Sequence, residues 1–216
     1  MRIDIFTTAN SWMNRHNTRF LAYLRSHGHD AAIVSSLDQI HDGDVMFCLG
    51  CWELIPPSHL SRHKHNLGVH ASDLPHGKGW SPCSWQILEG KNSIPISLFE
   101  VQNKVDSGAI YLQRHLELTG DELLDEWQDK LGEKIIDMSI EMIDRYDSLI
   151  ASGRQQEGIE SFYARRTPND SRLDIAKSID EQFNLLRIVD NELYPAFFEK
   201  NGVRYVLQIA KSKSLS

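Results

Sequence analysis

Three groups of residues in this chain have types and spacings that could do chemistry. Cys48-Leu49-Gly50-Cys51 sets two thiols three residues apart after an apolar run, the spacing of a thioredoxin-like redox pair. Such a pair wants a helix N-terminus at its first thiol, and none is evident there; nor does a second cysteine pair complete a zinc site. Two small half-buried thiols account for the same residues. Half of the ten histidines, His59, His63, His65, His70 and His76, fall within eighteen residues. His59 and His63 have the i, i+4 spacing of metal ligands on a helix, but His63 and His65 lie in a polar turn and no third ligand on a fixed scaffold joins them. No metal is expected. The third group is His70 with Asp106-Ser107-Gly108. His70 ends an apolar stretch just before Ala71-Ser72-Asp73-Leu74-Pro75 breaks it into a loop. An imidazole that handles protons needs a carboxylate to fix its tautomer. An Asp-x-Gly in a loop is also a turn signal, and 36 positions separate the two groups, so spacing alone leaves their pairing open.

The elements that must position these groups follow from apolar periodicity. Residues 3–6 are predicted as an opening strand, followed by a helix with Phe20, Leu21 and Leu24 on one face and Gly28 as its stop. Residues 31–34 and 45–49 are predicted as the next strands, residues 57–64 as a short helix, and residues 67–70 as a strand. Strand, helix, strand at short spacing implies a parallel sheet with right-handed crossovers. Ligands of such open sheets collect at the carboxyl ends of the strands, where His70 falls. Residues 85–89 read as a helix closed by Gly90, and residues 94–101 and 109–118 as two strands around a loop at 103–108. Thr119-Gly120-Asp121-Glu122 fits a capping box opening a long helix. Its Leu124, Trp127, Leu131, Ile135, Met138 and Met142 form one buried stripe. After Ile150 comes a polar linker at 151–158, a short strand at 161–165, and a second capping box at Ser178-Ile179-Asp180-Glu181 opening a helix to about Asp190. Asn201-Gly202 between strands at 196–199 and 203–209 is a strong hairpin signal. Residues 211–216 are expected to fray.

Composition bounds the function. With 23 Lys+Arg against 30 Asp+Glu, the formal charge of −7 argues against a surface built to neutralise nucleic-acid backbones. The hydrophobic share of 41% and charged share of 25% are those of a folded globular chain. No stretch approaches the roughly 20 apolar residues of a membrane span, and no long apolar region follows Arg2 as a signal peptide requires. Three cysteines make no disulfide framework, so a reduced cytoplasm is the expected home, with no membrane partner.

Around His70 and Asp106 the chain resembles the folate-dependent formyltransferases, which move a formyl group from N10-formyltetrahydrofolate to an amine. That family's core reads N-x-H-x-S-x-L-P, then [RK]-G-x-x-P-x-x-W, a helix ending in Gly, a strand, and D-x-G-x-I-x-x-Q. This sequence supplies His70, Ser72, Leu74 and Pro75, then Lys78, Gly79, Pro82, Trp85 and Gly90, then Asp106, Gly108, Ile110 and Gln113 in that order. It departs at Gly68, where the family has Asn; Asn66 shares that strand face by period two. Further on, the run from Arg165 to Asp174, then Leu186-Arg187 and Tyr194-Pro195-Ala196-Phe197, resembles the branch that formylates amino sugars on nucleotide carriers.

The resemblance implies a Rossmann-like α/β formyltransferase domain with a mostly parallel twisted sheet over residues 1–150. A small α+β region with a β-hairpin would follow over residues 151–216. It implies His70 as proton carrier, Asp106 as its partner, and Asn66 as an aid to the oxyanion in place of the missing Asn. The formyl donor would lie against Cys48, Leu49, Gly50 and Cys51, with Trp52 and Leu54 at the rim. Leu74, Lys104, Val105 and Gly108 would close the other side. Acceptor contacts are expected from Asn10, Trp12, Lys78, Gly79 and Arg165. The acceptor implied is a 4-amino-4,6-dideoxyhexose on UDP or dTDP, feeding surface glycan, and the protein is expected to be a homodimer. Three alternatives stand beside this. Methionyl-tRNA enzymes carry a further C-terminal β domain, and this chain ends early and is acidic. Purine-pathway enzymes of the glycinamide ribonucleotide type carry a Gly-rich phosphate loop, where this chain reads Thr7-Thr8-Ala9-Asn10-Ser11-Trp12. The third is a binding module that has lost the Asn.

Overall fold

The computed structural model describes residues 1–212; residues 213–216, most of the tail expected to fray, lie outside the described residues. Short runs that alternate between two apolar faces become strands. β1 (Arg2–Phe6), β2 (Asp30–Val34), β3 (Gly43–Cys48) and β4 (His63–His70) lie parallel in the order β2-β1-β3-β4. After a two-residue strand β5 (Lys78–Gly79), strands β6 (Ser93–Glu100) and β7 (Ile110–Glu117) extend the sheet past β4, both antiparallel to their neighbours. The expected mostly parallel, Rossmann-like sheet is therefore present, and its order turns antiparallel where β4 meets β6.

Ile3, Ile5, Val45, Phe47 and Leu67 are fully buried beneath α1 (Asn14–Ser26), with the Phe20 and Phe47 rings edge-to-face at 4.9 Å. The short α2 (Pro57–Leu60) packs on the other sheet face, where Leu60 joins Phe6, Met46 and Cys48. Then come α3 (Pro82–Leu88), α4 (Leu124–Asp144) and α5 (Tyr146–Ala151). The α4 stripe buries Trp127, Leu131, Ile135, Met138 and Met142, each worth about 1.5–3 kcal/mol. Gly132 sits where α4 crosses α1: a Cβ there would meet the His16 ring at 2.4 Å. Close packing explains a residue that disfavours helix.

The C-terminal residues form β8 (Phe162–Tyr163), α6 (Phe183–Ile188) and the hairpin β9 (Ala196–Lys200) and β10 (Val203–Leu207), with Asn201 and Gly202 at positive φ as a two-residue turn demands. α6 is pinned to the rest by Arg187, 1% exposed. Its guanidinium pairs with Glu122 at 3.3 Å and donates to Asn92 Oδ1 at 3.0 Å, while its carbonyl accepts the Trp127 indole N–H at 3.0 Å. Burial alone would raise the Glu122 carboxyl, but hydrogen bonds from Lys130 and the Thr119 amide hold it well below the ordinary range.

The structure moves several expected boundaries. β4 begins at His63, not Leu67, so His63 and His65 are strand residues rather than a polar turn, and His59 and His63 do not share a helix. Register with β3, Gly43 opposite His63, overrides the polar composition. α4 opens at Leu124, because Glu122 folds back on Thr119 and Gly120 and turns toward Arg187 instead of capping the helix. The helix expected to open at Ser178 begins only at Phe183, after a single tight turn at Asp180–Gln182, and α6 ends at Ile188, where Val189 goes extended.

Candidate active site

His70 stands at the carboxyl end of β4, beside the switch to antiparallel pairing, and the hairpin between β6 and β7 brings Asp106 to it. The Nδ1 of His70 lies 3.7 Å from Asp106 Oδ2. The two groups that sequence spacing left unpaired therefore face one another. His70 Nε2 lies 2.9 Å from the Gly77 carbonyl, and since a carbonyl only accepts, Nε2 carries the proton. That leaves Nδ1 as the edge free to exchange a proton. Asp106 Oδ2 also accepts the Gly79 N–H at 3.0 Å, and both side chains keep some exposure, 11% and 16%.

Asp106 holds φ at +47°, a left-handed conformation that Asp tolerates better than most residues. Two residues on, a Cβ at position 108 would meet the Glu100 carbonyl at 1.8 Å, so only glycine fits against β6. The Asp-x-Gly signal is thus both a tight turn and a seated carboxylate.

Asn66 is not brought to this pair. Four steps along an extended strand separate it from His70, about 13 Å. Its amide donates to the Leu60 carbonyl at 3.0 Å, and its backbone N–H bonds Glu100. The space above Gly68 is filled, since a Cβ there would meet Val101 at 2.9 Å and the Phe99 ring at 3.1 Å. Apolar packing stands where the resembling family places its Asn.

The remaining expected residues divide by place. Cys48 and Leu49 are buried at the exit of β3, and Gly50 turns at φ +73° with Ser11 and Met13 pressed against it. Cys51 packs on Cys48. The hydrogen bond between the thiols, then burial, pushes Cys48 up, and the same bond holds Cys51 below the ordinary thiol range. Trp52 and Leu54 are exposed at the rim, as are Lys104 and Val105 opposite. Leu74 is buried with Phe99 and Ile110. A recess of about 500 Å³ opens along Leu60, Val101, Asn103 and Lys104. A larger one, about 640 Å³, lies at the opposite edge of the sheet by Asp44 and Lys64 and holds neither member of the pair.

Of the expected acceptor residues, Lys78 is buried to 1% with its ammonium 2.8 Å from Glu160, and Gly79 bonds Asp106. Arg165 lies over the Trp80 ring at 4.9 Å and Asn10 is exposed, whereas Trp12 packs on the core and against His16. Sequence reasoning missed Gln156, Glu160 and Ser161. They fall in a polar stretch without periodicity, and only the three-dimensional structure lays it across the front of the pair. Ser72 and Gln113 matched the family motif but received no role; Gln113 bridges Asp73 and Ser97 beneath His70.

Comparison with known proteins accords with this geometry. A methionyl-tRNA formyltransferase of Sulfurihydrogenibium sp. is 25% identical over 159 residues, 73% of this chain and 50% of that protein. One from Flavobacterium psychrophilum is 31% identical over 127 residues, 56% of this chain and 39% of that one. The chain spans about half the length of the curated relatives it matches. Among solved structures, the methionyl-tRNA formyltransferase from Clostridium thermocellum superposes with a TM-score of 0.79 at 22% identity, over 100% of this chain and 95% of that one. A 4-N formyltransferase from Francisella tularensis gives 0.74 at 15% over 98% of each chain. HypX from Aquifex aeolicus, solved with tetrahydrofolic acid, gives 0.79 at 14% over 97% of this chain and 37% of that one. At these identities the likeness is one of fold. The family model described as formyl transferase matches residues 7–143, well over half of the sequence and all of the span that builds the His70–Asp106 pair, and the chain belongs to that family.

Proposed function

We propose that this protein transfers a formyl group from N10-formyltetrahydrofolate to the amino group of a nucleotide-linked amino sugar. The observation that carries the transfer step is His70 facing Asp106 across 3.7 Å, with its other ring nitrogen anchored. In the reaction the acceptor nitrogen attacks the formyl carbon, and the resulting oxyanion collapses as N10 leaves with a proton. His70 moves that proton from the acceptor toward N10 through Nδ1, and Asp106 steadies the ring while positive charge develops. With Gly68 packed under Phe99, oxyanion stabilisation falls to protonated His70 and to backbone N–H groups. The donor's ring would lie between the Cys48–Leu54 exit loop and the Asp106 hairpin, whose exposed Trp52, Leu54 and Val105 offer apolar surface to a flat heterocycle. The folate-bound relative of like fold supports this reading.

For the acceptor, the negative charge, the amino-sugar-like segment from Arg165 to Asp174 and the full-length likeness to a 4-N formyltransferase support a nucleotide sugar. The sequence relatives, and the likeness over 95% of its chain to the methionyl-tRNA formyltransferase from Clostridium thermocellum, favour a second reading, methionyl-tRNA. One experiment separates them: incubation with N10-formyltetrahydrofolate and either UDP- and dTDP-linked amino sugars or methionyl-tRNA, read by mass. Formylated sugar is expected. Formylated methionyl-tRNA alone overturns the acceptor, and tetrahydrofolate binding without any turnover points to a binding module. No helix among the described residues is long and apolar enough to cross a membrane. Exposed Val203, Tyr205 and Val206 on β10 support the expected homodimer, which sedimentation velocity would detect.

A further inference from the structure

The stretch after α5, residues 154–163, has hardly any regular structure, yet it touches both halves of the His70–Asp106 pair. Arg154 exchanges two backbone hydrogen bonds with Ile110, at 2.8 and 3.0 Å, at the foot of the Asp106 hairpin. The Gln156 amide then donates to the Asp106 carbonyl and to the Gly108 carbonyl, each at 2.9 Å. Both acceptors are carbonyls, so the nitrogen end of the amide must face them. Its oxygen is buried without a partner among the described residues, and only the donors of this side chain are used. One amide therefore spans the three residues that hold Asp106 in its left-handed conformation.

Five residues later the same stretch grips the histidine side. Ser161 Oγ accepts the Gly77 N–H at 2.8 Å, its carbonyl accepts the Lys78 N–H at 2.9 Å, and its N–H reaches the Pro75 carbonyl at 3.3 Å. Gly77 is the residue whose carbonyl anchors His70 Nε2. Between the two grips, one oxygen of Glu160 binds Lys78 and Lys104, each at 2.8 Å, one from each side of the pair. β8 closes the arrangement by pairing with β5.

We propose that this stretch is a brace that sets the separation of His70 from Asp106, and that Gln156 is a positioning residue for the carboxylate. At 3.7 Å the pair stands just outside hydrogen-bond range, so a shift of a few tenths of an ångström decides whether Nδ1, once it has taken a proton, can donate to Oδ2. Misplacement by about 1 Å costs on the order of 100-fold in rate, and Gln156 supplies the two side-chain donors that hold the Asp106 and Gly108 carbonyls. The brace deepens the formyl-transfer reading and rests on it for its effect on rate, but not for its effect on the imidazole.

The test uses the full chain with isotope-labelled histidine and three variants. Gln156→Met keeps the length of the side chain and removes both donors, Ser161→Ala removes the side-chain acceptor that holds the Gly77 N–H, and Gln155→Met is a neighbouring control. The expected result is a change in the His70 ring resonances in the first two and none in the control. The kcat for formyl transfer should fall about 10- to 100-fold in Gln156→Met with KM for the donor nearly unchanged. His70 resonances in Gln156→Met that match the wild type overturn the proposal. If Gln156→Met fails to fold, the same comparison in Ser161→Ala decides it. A wild-type protein that transfers no formyl group defeats the functional reading, while the resonance comparison still judges the brace.

Discussion

Strand β4 carries a histidine at each end, and each stands 3.7 Å from an aspartate carboxylate: His63 from Asp4 at the amino-terminal edge, His70 from Asp106 at the carboxyl edge. Distance does not tell the two apart. His63 and Asp4 have no exposed side-chain surface, and neither ring nitrogen of His63 has a hydrogen-bond partner among the described residues. The Asp4 carboxylate is already engaged by His41, through its N–H at 2.7 Å and its ring at 3.0 Å. His70 has one nitrogen anchored, the other turned to a partly open carboxylate, and a brace across the front. The comparison teaches that a His–Asp contact becomes a working site through access and through a fixed second nitrogen.

The largest effect should come from His70→Ala, which is expected to slow formyl transfer by about 10²- to 10⁴-fold. His63→Leu should leave the transfer rate within a few-fold of wild type, and equal losses in the two variants would break the contrast. Asp106→Asn comes next: turnover should fall by about 100-fold or more with the circular dichroism spectrum unchanged, because the amide cannot balance an imidazolium. Asp4→Asn should instead cost about 1–3 kcal/mol of stability in a denaturant titration, with kcat preserved.

The smallest effect is one of pH. Burial, only partly opposed by Asp4, lowers the affinity of His63 for a proton; Arg62 lowers it further, while Asp42 and Asp44 raise it. The unfolded chain therefore takes up this proton first as pH falls below about 6.5, and stability declines from there toward the lower folded value. Above that window His63 contributes no slope. His63→Leu should flatten the acid side of the stability curve just below about pH 6.5, and an unchanged slope would remove His63 as its source.

Parts of this arrangement were readable from residues alone, and parts were not. The α4 stripe and the Asn201-Gly202 hairpin declare themselves because their signals are local and periodic. His70 is legible as a strand-end residue, and its partner only through the resemblance, since a contact across 36 positions leaves no local pattern. The first half of β4 was hidden because polar His63, Lys64 and His65 owe their strand conformation to pairing with β3. Asn66 was misplaced by face-counting, which gives the side of the sheet but not the height along the strand. The brace was invisible because Gln156 and Ser161 bond backbone groups, which carry no sequence signature, and Glu160 pairs with lysines 82 and 56 positions away.

Arg187 has a consequence for the order in which the molecule is made. Its partners Asn92, Glu122 and Trp127 emerge from the ribosome well before it does, and the chain lengthens by roughly 5–20 residues per second. For several seconds the sheet and α4 exist with an acidic side chain and an indole N–H awaiting their occupant. Asp106 itself is likewise made 50 residues before Gln156 arrives to hold it. The parts that recognise one another earliest build the scaffold, and those synthesised last give the pair its final spacing.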